Sequence, residues 1–154
     1  MKCISLWQPW AEAMARGWKR NETRSWCTSY RGPLLIHAAK KEISWPSYDV
    51  EMLFEELNPD DFVKGGILCS VTLVDCLRIT TGNTPFGTEK TLGDYTPGRF
   101  MWRTDNLKRF PPIYFRGRQG LFDVPDEIIR GAVQNVPGET KDPSPFLQLD
   151  LFGQ

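Results

Sequence analysis

The part of the chain that most constrains its fold runs from Ile4 to Lys41, where strand, helix and strand patterns follow one another around a single glycine. Ile4 to Trp7 reads as a short strand. Pro9, at a first helical position, opens a helix through about Arg16, which Gly17 ends in a left-handed conformation. Lys19 therefore falls in a turn. From Arg20 to Trp26 side chains alternate as in a strand, so Glu22 and Arg24 share one face and Thr23 takes the other. Strand parity does not extend back across the turn, which leaves Lys19 free to face either side. Gly17-x-Lys19-x-x-Glu22-x-Arg24 is thus set at a corner between helix and strand. Ile4-Ser5-Leu6-Trp7-Gln8-Pro9-Trp10 precedes it, and Trp26, Tyr30 and Arg31 follow. Such a mixture of polar and stackable groups suits a ligand site better than packing alone.

The remaining pattern is that of many short strands and few helices. Gly32-Pro33 leads into Leu34 to Ala39, an apolar run suited to a buried strand. Pro46 to Leu57 carries Val50, Leu53, Phe54 and Leu57 at helical spacing. Ile67 to Ile79 is the longest strand candidate, with Val71, Leu73 and Leu77 on one parity. Thr80 to Gly98 has no apolar period and reads as a long loop of the kind that forms lids or binding elements. Phe100 to Arg103, Ile113 to Arg116 and Leu121 to Val124 read as shorter strands, and a helix opens at Pro125 with Asp126 and Glu127 in its first turn. This predicts an α+β fold, a small β-barrel decorated with two or three α-helices.

The length of 154 residues fits one domain. No apolar run approaches the roughly 20 residues that span a bilayer, so no membrane partner is expected. Met1-Lys2-Cys3 leads straight into strand-like sequence, the expectation being a cytoplasmic protein. Cys3, Cys27, Cys69 and Cys76 show no paired short spacing and His37 is the only histidine, so neither a metal site nor a cofactor is expected. Formal net charge is zero, but the charges are segregated. Seven Lys/Arg against Glu22 lie between Met14 and Lys41, and six between Arg99 and Arg118 against Asp105. If those segments meet, a cationic groove on an acidic body would attract phosphates locally.

The residues of the corner resemble the ASCH family, PUA-like domains related to a eukaryotic transcription coactivator, whose hallmark is Gly-x-Lys-x-x-Glu-x-Arg opening a binding cleft. All four motif positions match, at Gly17, Lys19, Glu22 and Arg24. The resemblance covers roughly residues 3 to 130 and implies a PUA-like barrel that binds RNA, other nucleic acid or a modified nucleoside. Ser5, Gln8, Lys19, Glu22, Arg24, Trp26, Tyr30 and Arg31 are the candidate ligand residues. Lysine can hold a phosphate or base carbonyl, and a carboxylate can accept from an exocyclic amino group or fix an arginine. Aromatic rings stack on bases.

Some ASCH relatives are amidohydrolases acting on N4-acetylcytidine with the motif lysine, a threonine three residues later and a downstream glutamate; others are ribonucleases. Glu22 occupies the threonine's place here, Thr23 is displaced by one, and Glu89 and Asp75 are the acidic candidates for the third role. In that alternative, a hydrolase on N4-acylcytidine or a ribonuclease, Lys19 and Glu22 would be catalytic.

The expected domain is 1–131, followed by a Pro/Gly-rich linker over 132–147. Gln148-Leu149-Asp150-Leu151-Phe152 matches the consensus that binds the bacterial sliding clamp. Leu151 and Phe152 would fill an apolar pocket and Gln148 would hydrogen-bond at its entry. The same residues also alternate as a last strand would.

Overall fold

The structure, a computed structural model, describes residues 1–134. The pentapeptide 148–152 and the linker beyond residue 134 lie outside the described residues. Six strands form one mixed sheet: β1 (Lys2–Leu6), β2 (Asn21–Arg24), β3 (Gly32–Ala38), β4 (Gly66–Arg78), β5 (Phe100–Tyr114) and β6 (Leu121–Asp123), in the order β2-β5-β4-β3-β1-β6. Only β1 and β3 pair in parallel. The sheet curls into a half-barrel with a few helices, the α+β class that the strand pattern predicts and the PUA-like form that the ASCH resemblance implies.

Four helices are described, one more than expected: α1 (Trp10–Ala15), α2 (Tyr48–Leu53), the single turn α3 (Thr88–Thr91) and α4 (Asp126–Gln134). The last of these runs three residues past the expected domain boundary. α1 packs on one face of the sheet. Its Ala11, Met14 and Ala15 pack with Ile4, Leu6, Leu34, Ile36, Leu68, Leu73 and the fully buried Trp102. α4 brings Ile129 to the other face, against Cys3, Leu35, Ile67, Phe110, Ile113 and Phe122. β4 is therefore covered on both sides from Gly66 to Val71, and its alternation begins only with Thr72.

Three local expectations change. Pro9 is the N-cap residue of α1, after a cis Gln8–Pro9 bond, so the helix starts one residue later than its sequence signal. The helix expected from Pro46 to Leu57 holds only over α2, where the Ser47 hydroxyl accepts from Val50 N. The two strands expected around 100–103 and 113–116 are one fifteen-residue strand. Its charged and proline-bearing middle hides the strand pattern because pairing with β4 is broken by register shifts, and Asn106 sits at φ 55° where one residue is extruded.

Candidate ligand cavity and basic groove

The turn that aims Lys19 is dictated locally. Gly17 adopts φ 75°, Gly17 N donates to Met14 O and Trp18 N to Ala13 O, the two bonds of a Schellman C-terminus. Lys19 N also bonds to Ala13 O, which turns its side chain inward. Lys19 is buried, with Nζ donating to Leu92 O at 2.7 Å, 3.5 Å from Glu22 Oε1 and over the Trp10 ring. Burial pushes its pKa down from the usual lysine value, against the pull of Glu22 and Glu89.

Glu22 is half-buried. Its Oε1 accepts from Thr23 N and lies 3.5 Å from Lys19 Nζ, while its Oε2 accepts from Arg24 Nε and lies 3.1 Å from a terminal nitrogen of the same guanidinium. Glu22 thus holds Lys19 and Arg24 in place at the wall of the cavity. Arg24 also donates to Ser5 O at 2.9 Å, which ties β2 to β1 across the mouth of the site.

Over this network lies a cavity of about 300 Å³ lined by Ser5, Leu6, Trp7, Trp10, Lys19, Glu22, Thr23, Arg24, Leu92, Gly93, Asp94 and Arg99. Ser5, Trp7 and Arg24 also line a second space of about 1020 Å³, so the two adjoin there. That wider groove carries Trp26, His37, Lys40, Arg116 and Arg118. Gly117 lies at its floor, where a Cβ would come within 2.6 Å of the His37 ring and 3.3 Å of Ser5 Oγ.

His37 is buried. Its Nε2 lies 2.8 Å from Phe115 O, which can only accept, so Nε2 bears the proton, Nδ1 is the acceptor and Ser5 Oγ donates to it at 2.9 Å. Burial holds the imidazole below its ordinary pKa and therefore neutral at pH 7. The Ser5 hydroxyl, its proton directed at His37, presents acceptor character where the two spaces meet.

The structure gathers Ser5, Lys19, Glu22 and Arg24 at the cavity and Trp26 in the groove. Three other candidates lie elsewhere. Gln8 is 3% exposed and bonds to Val63 O and Glu12 N, bracing the start of α1. Tyr30 turns its hydroxyl to Pro33 O, and Arg31 bonds to Thr28 O and Tyr30 O and pairs with Asp75. All three serve the backbone around them. Of the two basic segments, Arg24, Lys40, Arg99, Arg116 and Arg118 converge, whereas Arg31 and exposed Arg103 line neither space.

Glu89 and Asp75 also stay out of the cavity. Glu89 accepts from Arg20 N, Asn21 N and the Tyr95 hydroxyl, fastening the loop after β4 to the motif turn. That loop, read from sequence only as a lid or binding element, supplies the wall of Leu92, Gly93 and Asp94. Asp94, more than half exposed, is the more open of the two carboxylates lining the cavity: Oδ1 takes Thr96, and Oδ2 lies 3.4 Å from Arg99. Among the described residues no cluster of His, Cys, Asp and Glu could hold a metal, and no helix is long and apolar enough to cross a membrane.

Corner motif, half-barrel and cavity define a PUA-like module with an open cavity in which apolar walls surround a few charged side chains. The ASCH domain profile matches residues 4–112, and the chain belongs to the ASCH family. It is 40% identical over 148 residues to human activating signal cointegrator 1 and 39% identical over 82 residues to the mouse protein. Those matches take in 90% and 49% of this chain but only 25% and 14% of the relatives, so the chain spans at most about a quarter of the length of the curated relatives it matches. Among solved structures it resembles an ASCH protein from Zymomonas mobilis, with a TM-score of 0.58 at 17% identity, covering 87% of this chain and 94% of that one. A tyrosine-to-phenylalanine mutant of that protein gives 0.56 over 87% and 96%.

Proposed function

We propose that this ASCH domain binds single-stranded nucleic acid, RNA in the first place, by holding one base or modified nucleotide in the Lys19 cavity while the adjoining phosphates follow the basic groove. The observation that carries this reading is that the two spaces share Ser5, Trp7 and Arg24 as walls and so lie side by side. A pocket of about 300 Å³ walled by Trp7, Trp10, Leu6 and Leu92 suits a single base, and the groove beside it offers Lys40, Arg116 and Arg118 for phosphate oxygens. An exocyclic amino group would meet Asp94 and a carbonyl would meet Arg24. Trp7 is 57% exposed and carries Lys41 Nζ 3.2 Å from its ring centroid, which places a further cation at the mouth.

The test is a binding isotherm with single-stranded RNA and DNA at two salt concentrations for wild type and Arg24→Ala. Salt-dependent binding weakened by the substitution, with the strand left intact, supports the reading. No binding of either strand at low salt rejects it.

The hydrolytic alternative draws on one observation, the depressed pKa of buried Lys19, which suits a proton-transfer group. Loss of an N4-acetyl group or strand cleavage in the same assay would favour it. A tether to a sliding clamp rests on the pentapeptide Gln148–Phe152 alone. It would hold the domain beside DNA on a linker with a mean reach of roughly 20 Å.

A further inference from the structure

The segment from Ser25 to Arg31 joins β2, at one edge of the sheet, to β3, three positions in, beyond β5 and β4. To do so it crosses both intervening strands. On β5 it is held by Trp26, whose ring meets Trp102 edge-on at 4.7 Å and whose carbonyl accepts from Trp102 Nε1 at 3.2 Å. On β4 it is met by Cys76, the register partner of Trp102. Cys27 Sγ lies 2.9 Å from Cys76 Sγ. Cys27 is exposed and Cys76 partly so, whereas Cys3 and Cys69 are sealed in the core.

We infer that Cys27 and Cys76 form a reversible dithiol–disulfide site that staples this crossing segment to β4 and fixes Trp26 as a wall of the basic groove. A disulfide needs its sulfurs at about 2.0 Å, so closure asks for an approach of about 1 Å between the two sulfurs. The oxidant is a low-molecular-weight disulfide. The Cys27 thiolate attacks one of its sulfurs, forming a mixed disulfide and releasing one small thiolate, which takes up a proton. Cys76 then loses its proton and attacks Cys27 Sγ, and the second small thiol departs. Two cysteine thiols are oxidised and one small disulfide is reduced to two thiols.

Exposure makes Cys27 the entering thiol. Cys76 is the resolving one, its thiol pushed up to about 11 by burial and by the Cys27 bond. Reversible pairs of this kind are how intracellular proteins use disulfides. The bridge would close a loop between residues 49 apart in sequence, and loops of that length restrict the unfolded chain strongly.

The experiment compares full-length protein in excess dithiothreitol with protein equilibrated against oxidised glutathione. It reads peptide mapping under non-reducing conditions, melting temperature, and affinity for a single-stranded oligouridine. The expected result is a Cys27–Cys76 linked peptide that dithiothreitol abolishes, a melting temperature raised by about 5–10 °C and, through a pre-ordered Trp26 wall, affinity tightened severalfold. Cys27→Ser should lose all three oxidant effects. Stable glutathionylation of Cys27 without the linked peptide, or a linked peptide that leaves melting unchanged, overturns the staple. A linked peptide with raised melting but unchanged oligouridine affinity overturns the coupling to the groove. That coupling rests on the binding reading above. If reduced and oxidised protein alike fail to bind oligouridine, the binding reading falls while mapping and melting still decide the staple.

Discussion

Lys19 Nζ donates to the carbonyl of Leu92, a residue 73 positions away, and this bond closes the loop after β4 onto the motif turn. It makes Lys19 a keystone of the cavity's shape. Asp94, Gly93 and Leu92 reach the ligand space because the loop is pulled down at this point, with Glu89 fastening its other side to Arg20 and Asn21.

Removing that ammonium leaves Leu92 O without its donor, while Glu22 keeps Arg24 and Thr23 N. Lys19→Met should cost about 1–3 kcal/mol, the range for an orphaned buried acceptor, and lower the melting temperature by roughly 5 °C. Ligand affinity should fall with it. The lowered pKa adds a signature. Between the folded value and the ordinary 10.5 the unfolded chain binds more protons, so Lys19's contribution raises stability with pH in that alkaline window. Denaturant titrations at several pH values should show this rise in wild type and its absence in Lys19→Met.

Gly117→Ala tests the close approach at the groove floor. The new methyl group meets the His37 ring at 2.6 Å and Ser5 Oγ at 3.3 Å, so either the ring or the 115–118 segment must move. Overpacking of this kind costs about 1–3 kcal/mol. Chemical denaturation should record the loss, and an unchanged midpoint would show that the groove floor yields freely.

His37 is the only histidine, so its titration can be followed without assignment. Its folded pKa lies below the unfolded 6.5, hence the unfolded state binds the proton first and stability falls as pH drops below that value. Proton NMR of the imidazole should give a midpoint under 6.5. A midpoint above it would contradict the neutral Nε2–H form bonded to Phe115 O and Ser5.

Charge removal should sort the basic residues by position. Arg116→Ala and Arg118→Ala, each in the groove, should weaken oligonucleotide binding and each lower the salt-dependence slope by about one or slightly less. Arg103→Ala, exposed on β5 away from both spaces, should change neither. Equal effects at all three positions would point to diffuse attraction with no defined groove.

The proposed clamp tether has a test of its own. Deleting residues 148–152 should abolish any binding to a purified bacterial sliding clamp while oligonucleotide affinity stays within twofold. A clamp that binds wild type and the truncated chain equally would remove the tether from the proposed function.

Short-range rules carried the corner of this protein. Helix spacing before Gly17, its left-handed turn and the two-residue period after Arg20 placed Glu22 and Arg24 on one strand face, because each involves neighbours within one turn or one pleat. The Gly-x-Lys-x-x-Glu-x-Arg spacing likewise pointed to the ASCH family and so to its barrel. Which groups those side chains meet was settled by tertiary structure. Lys19 is buried against Leu92, Gln8 turns inward to Val63, Arg31 is drawn off by Asp75, and Arg116 and Arg118 come round beside Arg24. Cys27 and Cys76, unremarkable by spacing, meet because the segment after β2 must cross two strands to reach β3. Local periodicity fixes the direction of a side chain relative to its own strand; the order of strands in the sheet fixes what lies opposite, and that order depends on contacts far apart in the chain.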